Sequence, residues 1–150
     1  MNLTIRPAVL SDAPTITAFN AAMALETERL MLDPVVLSAG VRAGIADPAK
    51  ARYFVAEAEH RIVGQLMLTL EWSDWRNGEI WWIQSVYVLP EARRHGVFTA
   101  MYRHVEGLAK DQGAAGLRLY VVQHNHAGQQ TYVQLGMGMT EYLVMEKMNS

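Results

Sequence analysis

Arg93, Arg94, His95 and Gly96 follow the apolar alternating run VYVLP at residues 86–90 and precede a long amphipathic segment. Guanidinium groups make charge-assisted bonds to phosphate oxygens, and a glycine lets a bulky anion come close to the backbone. If a helix starts near residue 94, the amides of residues 94 to 98 lack intrahelical acceptors and can converge on one anion. A pyrophosphate held mainly by amides suits this arrangement. A solvated, basic helix entrance is the other reading of the same residues.

A second cluster lies just upstream. The stretch EWSDWRNGEIWWIQ, residues 71–84, holds all four tryptophans of the chain, Trp72 among them, together with Glu71, Asp74 and Glu79. Aromatic faces beside carboxylates favour a cationic or aromatic amine. Trp81 and Trp82 face opposite sides of a strand, so without a bulge they cannot line one pocket. Hydrophobic strand packing with polar turns remains the alternative. The histidines supply no ligand set at a metal-binding spacing, and no metal is expected; His60 reads as a turn residue.

These groups need elements to position them. LTIRP reads as a strand stopped by Pro7, and Ser11 and Asp12 offer caps for a helix over roughly 12–28. A second helix is expected over about 34–46. RYFVAEAEHRIVGQLMLTLEWS gives two strands around a turn at 58–61, and NGEIWWIQSVYVLP a third that ends at Pro90. Val97, Met101, Val105 and Leu108 recur at helical spacing, with Phe98 and Tyr102 on an adjacent line, which predicts a helix over about 94–112. GLRLYVVQ is a strand, NHAGQQTYVQLG a short helix closed by Gly136, and MTEYLVMEKM a last strand. Strand, two helices, three strands, helix, strand, helix and strand make an α/β (α+β) chain with a mixed sheet covered by helices.

Composition bounds the rest. One domain over 1–150 is expected from 150 residues with 51 % apolar content and neither repeat nor linker. A formal net charge of -2 gives no general attraction to nucleic acid, and no long basic face or nucleic-acid module is visible. No run reaches the roughly 18 apolar residues of a membrane span. The opening MNLTIRPAV lacks the marks of a secretion signal and the chain has no cysteine, so cytoplasmic residence is the expectation.

The motifs and element order together resemble the GNAT superfamily of acetyl-coenzyme A dependent N-acetyltransferases over essentially the whole chain. The family turn, arginine or glutamine, two residues, glycine, one residue, then glycine or alanine, reads here Arg93, Arg94, His95, Gly96, Val97, Phe98. Arg94 stands where glycine is frequent, and Phe98 where the residue is usually small. A second signature is kept in Asn125, in Tyr132 seven residues on, and in LGM at 135–137.

The resemblance implies a single-domain fold whose mixed, mostly antiparallel sheet of six to seven strands has helices on both faces. It also implies a splayed central pair, the strand 83–89 parting from 117–122. Acetyl-CoA would lie in that cleft, its pantetheine amides against backbone near Val86, Tyr87 and Val88 and its pyrophosphate at Arg93 to Phe98. An amide such as that of Val86 would stabilise the oxyanion. Tyr132, a phenol with an ordinary pKa of about 10, would protonate the leaving thiolate; burial as a helix anchor is its other role. Asn125 either orients the pantetheine or caps its helix, and His126 approaches the cofactor.

The acceptor implied is a small-molecule primary amine. Glu71 and Glu79 are both open as general base, directly or through water, and Gln84 can bond substrate without taking its proton. Glu26 and Glu28 add negative field at the acceptor entrance, and Trp72 an aromatic face. Pairing of two copies as a homodimer fits the family. The runner-up function is a catalytically weak or inactive acyl-CoA binding or sensing domain of the same fold.

Overall fold

Pro7 closes the first strand, β1 (Leu3–Pro7), and a 3-10 turn at Leu10–Asp12 leads into helix α1 (Ala13–Glu28). Asp12 stands at the N-cap position, but its carboxylate does not cap the helix. It accepts two bonds from Arg6, at 2.7 and 3.0 Å, and one from the Val9 amide at 2.8 Å. The ion pair with Arg6 outcompetes the expected cap. Asp33 does cap: its Oδ1 accepts from the amides of Val35 and Val36 at the start of α2 (Pro34–Ala46), whose proline at the first position needs no partner.

Strands β2 (Arg52–Ala58) and β3 (Arg61–Ser73) are joined by Glu59 and His60, both at positive φ, so His60 is the turn residue its position suggested. Asn77, also at positive φ, opens β4 (Gly78–Val88). Helix α3 (Val97–Asp111) and strand β5 (Gly116–Leu119) follow. The computed structural model describes residues 1–149 and groups them into two compact units, Met1–Tyr120 and the stretch from Val121 onward. The second unit contains helix α4 (His126–Gln134).

The sheet order is β1-β2-β3-β4-β5, antiparallel through β4 and parallel between β4 and β5. Alternation gives the strands two different faces. Val55 buries against Ala13, Ile16 and Val41 of α1 and α2. Phe54, one residue earlier, meets His104 of α3 on the other face, ring centroids 5.6 Å apart. Val97, Met101 and Val105 are buried, as their spacing predicts. The mixed, mostly antiparallel sheet with helices on both faces is therefore present.

Five strands form among the described residues, fewer than the six to seven expected. β5 ends at Leu119, and MTEYLVMEKM makes no strand. Alternation of apolar residues permits a strand, but a strand also needs an edge to receive its amides. No helix of the described residues is long and apolar enough to cross a membrane.

Candidate functional site

The first element of the site is a bulge. Gln65 pairs with Tyr87 and Met67 with Gln84, so Ser85 and Val86 together oppose Leu66. Ser85 takes φ 52°, a left-handed conformation unusual for a serine in a strand. Gln65, only 1 % exposed, donates through Nε2 to the Ser85 carbonyl at 3.0 Å and pins the bulge from beneath. Pairing between β4 and β5 stops at Ile83 and Leu119, while β4 continues to Val88. β5 itself ends at Leu119, short of the 117–122 expected, and the β4 edge from Gln84 to Val88 has no β5 ladder. Val88 and Tyr87 face opposite sides of the sheet, as alternation requires.

At the end of β4 a 3-10 turn, Pro90–Ala92, leads to Arg93, Arg94, His95 and Gly96, all exposed. Arg94 has φ 66° and Gly96 φ 77°, so no helix can run through them and α3 starts at Val97 rather than near 94. Its first internal bond runs from the Ala100 amide to the Gly96 carbonyl, 3.0 Å, and no side chain caps the preceding amides. The amides of Val97, Phe98 and Thr99 thus have no intrahelical acceptor. A Cβ added to Gly96 would meet nothing within 4 Å, so open space lies over this turn. The Phe98 ring packs along the helix against Tyr102, ring centroids 6.1 Å apart.

Arg93 is turned back from this turn. Its Nε donates to the Val88 carbonyl at 2.9 Å, its Nη2 meets Glu26 Oε2 at 3.1 Å, and its guanidinium lies over the Tyr87 ring. The Tyr87 hydroxyl donates to Glu26 Oε1 at 3.3 Å, and Phe19 packs against the ring. Burial first, and the Glu26 charge second, push the Tyr87 phenol up. Glu26 is thereby drawn into an ion pair, while Glu28 is simply exposed.

On the α1 side of the sheet, beyond the helix, alternation lines up Thr69, Glu71, Trp82, Gln84, Arg118 and Tyr120. Trp82 Nε1 donates to Glu71 Oε1 at 2.9 Å, and Arg118 Nη1 meets Glu71 Oε2 at 3.3 Å. The Arg118 guanidinium lies over Trp82, and the Tyr120 ring packs on the same indole at 4.7 Å. Gln84 donates to Thr69 Oγ1 at 2.6 Å. Trp81 is 2 % exposed on the opposite face, under Arg52. Trp72 and Glu79 are cross-strand partners on that opposite face as well, both exposed, so Glu71 and Glu79 do not share a side. Gln65, Thr69, Arg118 and Tyr120 belong to these clusters without having been singled out. The alternation of GLRLY, with arginine and tyrosine two apart in an apolar strand, was the signal for the last two.

In the second unit Asn125 caps α4, its Oδ1 accepting from the Gly128 amide at 2.9 Å. A Cβ on Gly128 would lie 2.5 Å from the Asn125 amide, so cap and glycine fit as a pair. Tyr132 sits in the last turns of α4, where its carbonyl accepts from Leu135 and Met137. Burial pushes its phenol up. Gly136, at φ 102°, closes the helix as expected.

A family model, acetyltransferase (GNAT) family, matches residues 21–137. The chain belongs to that family. Over its full length it is 40 % identical to a structure described as a "possible acetyltransferase" from Clostridium difficile 630, with TM-score 0.92 and 99 % of that chain covered. It is also 31 % identical over 75 residues to thialysine N-epsilon-acetyltransferase of Bos taurus; the match takes in 50 % of this chain and 44 % of that protein. A predicted acetyltransferase of Clostridium acetobutylicum, solved with acetyl-CoA, shares the fold at 18 % identity and TM-score 0.79, covering 97 % of this chain and 96 % of that one.

Proposed function

We propose that the protein transfers the acetyl group of acetyl-CoA to a primary amine by direct attack, with Tyr132 as the acid that protonates the leaving thiolate. The observation that carries this reading is the turn at the head of α3. Left-handed Arg94 and Gly96 bend the chain so that the amides of Val97, Phe98 and Thr99 are left without intrahelical partners beneath open space. Amides at a helix N-terminus suit a pyrophosphate, and the positive end of the helix adds to the attraction. Arg94 and His95, exposed beside them, supply further donors.

Acetyl-CoA brings an activated thioester and a pantetheine arm with amides of its own. The β4 edge between Gln84 and Val88, free of β5 pairing, offers backbone groups for such an arm. The bulge at Ser85 and Val86 turns an amide out of the regular ladder toward a developing negative charge. The amine is received on the face of Glu71, Trp82, Gln84 and Tyr120, an aromatic face whose carboxylate is shared with the Arg118 guanidinium. Tyr132 is assigned from its place in the second family motif, and a phenol held above its ordinary pKa by burial is protonated whenever the thiolate leaves.

The test is to mix purified protein with acetyl-CoA and a panel of polyamines, amino acids, aminoglycosides and peptides, following thiol release and product mass. Amine-dependent thiol release with an added acetyl mass supports the enzyme, and Tyr132→Phe should then lower kcat by about 10²- to 10⁴-fold while acetyl-CoA still binds. Binding of acetyl-CoA with no product from any amine would favour the sensing domain instead.

A further inference from the structure

Arg93 leads into the turn at the head of α3, yet its side chain reaches back to β4 and α1. Nε donates to the Val88 carbonyl at 2.9 Å and Nη2 to Glu26 Oε2 at 3.1 Å, with the guanidinium 5.4 Å from the centre of the Tyr87 ring. Glu26 accepts from the Tyr87 hydroxyl through its other oxygen at 3.3 Å, and Phe19 of α1 packs on that ring at 5.3 Å. Together these contacts form a bracket across α1, the end of β4 and the turn. An ion pair as exposed as this one, 46 and 40 % at its two side chains, stabilises a fold by little on its own. What it can do is fix a direction. Directly after Arg93 the chain takes left-handed steps at Arg94 and Gly96, and no side chain caps the helix that follows. A strained turn persists only where its surroundings impose it, and the residue leading into this one is the residue that the bracket grips.

We propose that Glu26 and Arg93 are positioning residues for the acetyl-CoA site: Glu26, a carboxylate, strengthens the binding of a polyanion that it does not touch, by holding Arg93 and through it the turn. The proposal rests on the reading of that turn as the pyrophosphate site. A lone carboxylate beside a cofactor's phosphates repels them. Paired with Arg93 it adds no net charge, and the Arg93 donors are already divided between β4 and α1. Turning them to a phosphate would leave Glu26 uncompensated next to that phosphate. The same bracket reaches the end of α1, where the amides of Arg29 and Leu30 donate to the Leu25 and Ala24 carbonyls at 3.2 Å each. A cofactor that fixes the turn therefore steadies the end of α1, and by linkage the end of α1 steadies the cofactor.

The test titrates CoA calorimetrically into the parent, Glu26→Gln, Arg93→Met and the double variant, with melting curves on each. Glu26→Gln keeps an oxygen for the Tyr87 hydroxyl and removes the charge. Its affinity for CoA should fall roughly threefold to tenfold, and Arg93→Met should lose a similar factor. The double variant should be no weaker than Arg93→Met alone, the mark of residues that act as a unit. A Glu26→Gln protein that binds CoA as well as the parent, or tighter, would overturn the proposal, since that is the response of a charge merely lying near an anion. Losses that multiply in the double variant would overturn it too. Hydrogen exchange on the parent needs no variant: CoA should slow the amides of Arg29 and Leu30, and unchanged rates there would count against the proposal. A parent that binds no CoA would remove the pyrophosphate reading of the turn and this proposal with it, whereas CoA binding that ignores Glu26→Gln removes the proposal alone.

Discussion

Gln65 Nε2 donates to the Ser85 carbonyl across 3.0 Å, from a side chain that is 1 % exposed, and so ties the buried centre of β3 to the one left-handed residue of β4. The bond holds in place an extra residue that ordinary pairing would expel. Gln65→Leu keeps the volume and removes the donor. The bulge should relax, with stability falling by about 1–2 kcal/mol and kcat by about 10²-fold as the reacting groups lose alignment. Thermal melts and steady-state kinetics on the same preparation check this. An unchanged kcat would separate the bulge from catalysis.

That bond also marks where the sequence stops being informative. α2 is found at the residues predicted for it because Asp33 and Pro34 announce its start. The apolar spacing of α3 located its buried stripe, yet its start was placed three residues early, since nothing in RRHG reveals that Arg94 and Gly96 are left-handed. The bulge has no local signature, because neither serine nor valine is unusual in a strand and its cause is a glutamine some twenty positions away. Arg93 and Glu26 were assigned to opposite ends of the cleft, and the fold pairs them. Alternation alone named MTEYLVMEKM a strand, and no strand forms there, because apolar alternation does not by itself supply a ladder partner.

Asp12 and Arg6 should make the protein acid-sensitive. The Arg6 bonds hold the Asp12 carboxyl below its ordinary value, against an opposing push from burial. A folded pKa below the unfolded value of about 3.9 stabilises the protein fully above that pH and ceases to do so as pH falls through the folded value. Asp12→Asn should cost about 1–3 kcal/mol at neutral pH, and its Tm should vary less between pH 6 and pH 3 than that of the parent. Equal acid slopes for the two proteins would show that other carboxylates govern the response.

The two left-handed residues at the head of α3 should answer oppositely to substitution. Arg94→Gly relieves a conformation that costs a side chain about 1–2 kcal/mol, and for a chain of this size Tm should rise by roughly 2–4 °C per kcal/mol gained. Gly96→Ala imposes a similar strain and places a methyl in the open space beside the turn that starts α3. It should lower Tm and weaken acetyl-CoA binding by about tenfold or more. Calorimetric titration with CoA alongside melting curves measures both. Tight binding by Gly96→Ala would move the pyrophosphate away from this turn.

Glu71 accepts from Trp82 through one oxygen and from Arg118 through the other, at 2.9 and 3.3 Å. A carboxylate with both oxygens engaged by donors is held in a fixed orientation, which suits a positioning group. Glu71→Gln keeps an oxygen for the indole and removes the charge. If Glu71 positions the acceptor face, KM for the amine should rise by about tenfold with kcat nearly unchanged, the pattern of lost uniform binding. If instead it deprotonates the amine, kcat itself should drop by about 10²- to 10⁴-fold and the acidic limb of the kcat–pH profile should vanish. The geometry favours the first outcome, and Glu79, on the other face of the sheet with Trp72, should be dispensable in the same assay.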